Sequence, residues 1–293
     1  IGLHRGGKVT MTLYPAPENS GVVFVLKTEK GRRFIRADPH KVHETTLATC
    51  LSDGEQSIGT VEHVLAALMG IGVDNIHIEV DSNEIPIMDG SAASFVYLLQ
   101  QAGVVRQNAV KRVYRLKQPV ELSLDGKRIA ATPGSGLSVN YTIEYDHPLI
   151  GRQECAYDLQ QKSFVENLCK ARTFAFLDDV EAMRANGLAL GGSLDNALVL
   201  DSSGVVNTDG LRYTDEPVRH KILDFIGDMG LMPYPVTGHF HVHCSGHAMN
   251  NIFCRYLLEH EAEFLECCEL ETERSADGRD RAIAPQPAGE GCF

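Results

Sequence analysis

No stretch of this 293-residue chain stays apolar for the roughly 18 to 20 residues that a bilayer-spanning helix needs. Its first residues, Ile1-Gly2-Leu3-His4-Arg5, do not form a signal peptide, so a cytoplasmic protein is expected. Basic runs are missing as well. The net charge is −12 and the Lys and Arg residues are scattered, which argues against a nucleic-acid binder, because phosphates call for a basic surface. Tryptophan is absent altogether. The eight cysteines, at 50, 155, 169, 244, 254, 267, 268 and 292, form no Cys-x-x-Cys pair, which excludes the usual zinc-ribbon and thioredoxin-like patterns. Most are expected to be free thiols, with Cys267 and Cys268 as filler on a helical segment. There is no His-Glu-x-x-His helix, so any zinc chemistry must use another scaffold than that of the common metalloproteases. Nor do Gly191 and Gly192 lead into the Lys-Ser/Thr of a P-loop. At 43% apolar composition the chain can still bury a sizeable core and is long enough for two domains.

What is present is a polar stripe on an apolar helix. Pro217 to Met229 puts His220, Asp224 and Asp228 four residues apart, one above the other on a helix face. Ile222, Leu223, Phe225, Ile226 and Met229 would bury that helix, with Pro217 in its first turn and Gly230 and Pro233 at its exit. The stripe either faces a cavity, where an imidazole and a carboxylate can share a divalent ion, or simply points to water. A second pair, Glu62-His63, opens another helix, for which Thr60 is the expected N-cap, Val61, Val64, Leu65 and Leu68 the core face, and Gly70 the stop. Two histidines and one carboxylate make the three-ligand set that catalytic zinc sites use, with Glu62 as the base.

The periodicities predict an α+β chain in two similar parts. In residues 1–104, Val9, Met11 and Leu13 alternate in a strand, and an apolar strand follows over 22–26. After the Glu62 helix comes a strand over 76–80, then a helix from near Ser91 with Phe95, Val96, Leu98, Leu99 and Ala102 inward and Gly103 as its stop. Residues 104–111 lack a period and read as a linker. The second part, 112–271, shows strands near 113–116, 120–124, 129–132 and 137–145, a short helix near 179–186, and a strand near 197–201. The His220 helix, a strand near 237–243 and a last helix from about Asn250 to Glu271 complete it. Residues 272–293 are expected to form a disordered tail.

Three further segments, 84–92 (EIPIMDGSA), 171–174 (ARTF) and 245–251 (SGHAMNN), join Thr60-Val61-Glu62-His63 and 220–224 (HKILD) in an ordered set. Together they closely resemble the UDP-3-O-acyl-N-acetylglucosamine deacetylase family, from about Gly2 to Leu265. The resemblance implies two similar α+β domains, each a β-sheet with helices packed on it, and an active site between them. It implies zinc-dependent removal of the N-acetyl group from a UDP-linked acylated amino-sugar, the committed step of lipid A synthesis. By the same likeness His63, His220 and Asp224 hold the metal and Glu62 is the base. Thr173 and Lys221 would stabilise the oxyanion, and Asp228 would orient His247, the acid for the leaving amine. A helix start near His247 would depress its pKa, which a neighbouring carboxylate offsets. Without the family, Thr173 reads equally as an ordinary strand residue. An insert near 172–200 would line the acyl chain, although helical spacing of Phe176, Leu177, Val180 and Met183 serves a core equally well. Phe174, Leu188, Gly192, Ser193 and His241 are the expected substrate contacts.

Three departures from the family pattern stand out. The chain starts roughly one strand into it, so a sheet strand is expected to be missing. Neutral residues at 238–244 (GHFHVHC) stand where the family places basic ones that hold the diphosphate, and 231–236 is a proline-containing turn where a smoother loop is expected. Two rival readings are an amidase with altered substrate and a metal-binding protein without catalysis. Retention of Glu62, Thr173, Asp228 and His247 argues against the latter, because a structural zinc site wants a fourth protein ligand. Ferrous iron would also suit two His and one Asp. Nothing suggests an obligate dimer, and a monomer is expected.

Overall fold

The computed structural model describes residues 1–270. Strands β1 (Met11–Pro15), β2 (Val22–Thr28) and β3 (Gly31–Arg36) come first, then a small antiparallel sheet of β4 (Val42–Glu44), β5 (Cys50–Ser52) and β6 (Ser57–Ile58). Helix α1 (Glu62–Ile71), strand β7 (Ile76–Val80) and helix α2 (Ala93–Ala102) follow. The first large sheet has the order β1-β7-β2-β3, with β2 and β7 parallel and the other pairs antiparallel. Phe24, Leu26, Ile76, Ile78 and Val80 point from it into the core that α1 and α2 share, while Lys27 and Arg32 lie outside. Residues 103–111 have no regular structure.

The second sheet begins with β8 (Arg112–Leu116), β9 (Val120–Leu124), β10 (Lys127–Thr132), β11 (Leu137–Glu144) and β12 (Arg152–Asp158). Helix α3 (Gln161–Asn167), strand β13 (Phe174–Phe176), helix α4 (Leu177–Ala185), and strands β14 (Leu198–Asp201) and β15 (Gly204–Val205) follow, the three strands forming a small sheet of their own. Then come α5 (Glu216–Met229), β16 (Val236–His243), α6 (His247–Glu259), the single turn α7 (Glu261–Phe264) and β17 (Leu265–Glu269). The main path runs β12-β11-β16-β10-β9, and β8 bridges β16 to β17. β11 and β16 are parallel, so their carboxyl ends lie side by side. The apolar face, with Val139, Tyr141, Phe240 and Val242, packs on α5 and α6.

The α+β architecture expected from the sequence holds, with several local corrections. Thr60 is not the N-cap of α1: Val61 takes that position with no side-chain cap, while Thr60 sits at φ 59° and its hydroxyl donates to Glu84, 3.2 Å away. Gly70 does not end α1. It lies in the last turn beneath the Phe164 ring, and Gly72, at φ 84°, closes the helix by donating its N–H to Leu68. On α2, Leu98 is 39% exposed and Ala102 is exposed, so the buried face is Phe95, Val96 and Leu99 alone. The last helix stops at Glu259, and Cys267 and Cys268 lie on β17, facing Tyr114 and Val113 of β8. The tail expected over 272–293 falls outside the described residues.

Candidate active site

Helices α1 and α5 meet with almost no gap, and a glycine makes this possible. A Cβ on Gly227 would come within 2.1 Å of the Glu62 carbonyl oxygen. Gly227 sits between Asp224 and Asp228, so the first turn of α1, with Glu62 and His63, lies directly against the polar stripe of α5. All five of Glu62, His63, His220, Asp224 and Asp228 are buried.

Asp224 Oδ1 is 3.2 Å from His220 Nε2 and 3.6 Å from His63 Nε2, and one donor atom from each residue falls within 4.8 Å of the others. The two imidazoles stand edge to face with centroids 5.0 Å apart. The Ala171 carbonyl lies 3.1 Å from His220 Nδ1 and accepts its proton, which leaves the Nε2 lone pair free toward Asp224. Burial holds His220 neutral, down at about 3, despite the neighbouring Asp224 charge. Burial opposes ionisation of Asp224 too, but the facing His220 ring and the Lys221 ammonium outweigh it and keep the carboxyl well below its usual range. Among the described residues Asp224 Oδ1 has no hydrogen-bond partner although it is buried. A naked buried carboxylate oxygen beside two imidazoles is costly, and a divalent cation there removes the cost. These three residues therefore fit a metal ion.

Against this cluster stands an acid–base pair. Asp228 Oδ2 is 2.9 Å from His247 Nδ1, and the far ring nitrogen lies 4.0 Å from Glu62 Oε1. Burial alone would lower the His247 pKa; the Asp228 and Glu62 carboxylates reverse this and hold it at about 9. Glu62 is shifted the other way for a carboxylate, upward, because burial outweighs its histidine neighbours. Asp228 is itself fixed by the Thr49 hydroxyl at 2.5 Å and the Asn250 amide at 2.8 Å, while the Thr49 backbone N–H donates to Glu62 Oε2 at 3.0 Å.

The family profile described as UDP-3-O-acyl N-acetylglycosamine deacetylase matches residues 1–259. The chain belongs to this deacetylase family. It is 54% identical over 289 residues to the UDP-3-O-acyl-N-acetylglucosamine deacetylase of Oleidesulfovibrio alaskensis, covering 99% of this chain and 94% of that protein. The protein of the same name from Nitratidesulfovibrio vulgaris is 53% identical over 270 residues, 92% of this chain and 87% of its own. That of Neisseria meningitidis serogroup B is 46% identical over 270 residues, 90% and 88%. The chain is thus an amide-cleaving hydrolase, and none of its described helices is long and apolar enough to cross a membrane.

In this deacetylase the other sequence-selected residues fall into two groups. Lys221 donates to Asp224 Oδ2 at 2.6 Å, and its ammonium is held charged against burial by Asp224. Thr173 is half-buried, tied by its backbone to Gly90 and Leu198, and Phe174 stands edge-on to His220 with centroids 6.4 Å apart. Leu188 lines a hollow of about 390 Å³ shared with His4, Thr60, Leu47 and Leu190. Gly192 and Ser193, by contrast, form a turn: the Gly192 carbonyl accepts from Arg184, and Ser193 N–H donates to Asn196. His241 stands on the exposed face of β16, in a separate hollow with Val120, Glu121 and Arg128.

Sequence reasoning missed three supports. Thr49 lies in an irregular segment with no period to mark it. Asn250 was detectable, being three residues after His247 and so on the same face of α6. Glu216, in the first turn of α5, accepts from Arg172 backbone N–H, Nε and Nη2 and from Arg212 N–H, all at 3.1 Å or less. That buried knot fixes the irregular segment before β13 that presents Ala171 to His220.

Proposed function

We propose that this chain hydrolyses the N-acetyl group of UDP-3-O-acyl-N-acetylglucosamine, with His63, His220 and Asp224 holding a zinc ion and the Glu62/His247 pair moving the protons. The observation that carries the reading is the opposed arrangement of that pair. A buried carboxylate and a half-buried imidazolium, 4.0 Å apart, face the free ligand atoms of a three-residue metal set.

When bound, zinc supplies Lewis acidity to the amide carbonyl and to water. Glu62 collects a proton from the water whose oxygen forms a bond to the amide carbon. The charge on the carbonyl oxygen is met by the Thr173 hydroxyl and by the Lys221 ammonium, which spends one of its three donors on Asp224. His247 delivers its proton to the sugar nitrogen as the carbon–nitrogen bond breaks, leaving acetate and a free amine. Asp228 orients the ring through Nδ1, so the transferable proton is the one facing Glu62. Phe174, Leu188 and the neighbouring apolar residues of the insert are assigned to the acyl chain, with Gly192 and Ser193 shaping the turn beside them; His241 is assigned to the head group. Two units, residues 1–104 and 112–271, acting as a monomer in the cytoplasm, complete the reading.

The test is release of acetate from a UDP-3-O-acyl-N-acetylglucosamine by purified protein, as isolated, after chelation and after zinc is restored. Activity should vanish and return. Folded, metal-loaded protein that releases no acetate would overturn the assignment.

A further inference from the structure

Two other side chains that can ligate a metal stand next to each other in the sequence at the end of β16, His243 and Cys244, and a third, Glu144, ends the parallel neighbour β11. One ligand atom from each lies within 4.8 Å of the others. None of the three belongs to the buried cluster described above.

The backbone explains why they converge. In the parallel pairing Thr142 sits opposite His243, and Glu144, two residues further along β11, projects from the same outer face of the sheet. Cys244 then leaves the strand at φ 49°, a left-handed conformation uncommon for a residue with a side chain, while its N–H remains tied to the Thr142 carbonyl at 2.8 Å. Arg152 occupies Glu144 Oε1 at 2.8 Å, so among the described residues Oε2 is the carboxylate oxygen left without a partner. All three residues are reachable from solvent, His243 and Cys244 half-buried and Glu144 exposed.

We infer that Glu144, His243 and Cys244 form a second site for a divalent transition metal, zinc or cobalt, with water completing the coordination. The donor set decides the class of ion. Thiolate and imidazole select borderline and soft metals over magnesium or calcium, and three protein ligands with an open position make a tetrahedral site. Its location gives it a structural consequence. Cys244 is followed by Ser245, whose carbonyl accepts from Tyr141 at 2.9 Å and whose hydroxyl donates to Asn250, itself bonded to Asp228. An ion here ties the ends of β11 and β16 to the turn that delivers His247.

Cobalt distinguishes the two sites, because only the outer one contains sulfur. Metal-free full-length protein titrated with cobalt(II) should take up two ions per chain and develop a sulfur-to-cobalt charge-transfer absorption. Cys244→Ser should bind one ion and lack that absorption, and Glu144→Gln should weaken the second site by about tenfold or more. Both positions are at the surface, so circular dichroism should show an unchanged fold. His220→Ala should lose the sulfur-free ion and keep the absorption. Uptake of a single ion by the wild type without the sulfur signature, or a signature that survives Cys244→Ser, would overturn the proposal. Neither result depends on deacetylase activity.

Discussion

Glu62 and His63 are chain neighbours to which the proposed function gives different tasks, and single substitutions should separate them. Glu62→Gln keeps the three metal donors and the volume of the side chain, so metal content should stay at the wild-type level while turnover falls by about 10²- to 10⁴-fold. His63→Ala and Asp224→Ala should lose the metal itself, read by elemental analysis of the dialysed protein. Equal metal loss in all three would contradict the role given to Glu62. His247 offers a pH signature. Asp228 and Glu62 raise it to about 9 in the fold, so activity that needs its proton should fall as pH rises through about 9, and the acid limb should follow Glu62, shifted above 4.5 by burial. The sign for stability follows from the same shift. A histidine raised from 6.5 contributes fully below 6.5 and loses that contribution as pH rises through about 9. The stability gap between wild type and His247→Gln should therefore narrow across that window in urea titrations; a constant gap would remove the Asp228 and Glu62 contacts as its cause. The juxtaposition of His220 and Asp224 was legible in the sequence because i, i+4 spacing stacks them on one helix face. Thr49 was not, since a hydroxyl in a loop reaches Asp228 only through the fold.

Among the elements, α5 and α1 were readable because their apolar period survives without reference to neighbours, whereas their contact was not. Nothing local marks Gly227 as the point where α1 touches. Gly227→Ala should clash with the Glu62 carbonyl, destabilise by about 1 to 3 kcal/mol and displace Glu62 enough to lower turnover. Wild-type activity in that variant would show that the helices separate freely. The Arg172–Glu216 knot belongs to the same scale. Both side chains are buried, so Arg172→Ala strands the Glu216 carboxylate and should cost about 3 to 5 kcal/mol in chemical denaturation. Strand β17 was misread for a related reason. Leu265-Glu266-Cys267-Cys268-Glu269 favours neither period, and pairing with β8, 149 to 157 residues earlier by the register Leu265↔Leu116 to Glu269↔Arg112, decides its conformation. β3 and β12 were missed because their charged residues face water while partners elsewhere in the chain set their register.

Across the whole molecule the proposed metal set draws its donors from both halves of the chain, His63 from α1 and His220 and Asp224 from α5. The site exists only when the two sheets carry their helices into contact, so an ion bound there binds the folded chain and not the unfolded one. That linkage adds about 2.7 kcal/mol of stability when free metal stands at 100 times its dissociation constant. For a chain of this size each kcal/mol corresponds to roughly 2 to 4 °C or somewhat less, so metal should raise Tm by several degrees. The measurement belongs in a Cys244→Ser background, where the outer cluster cannot contribute. Calorimetry of that variant with and without zinc should show the shift, and adding His220→Ala should abolish it. A shift that survives the loss of His220 would mean that the ion holds the molecule together from somewhere other than the α1–α5 seam.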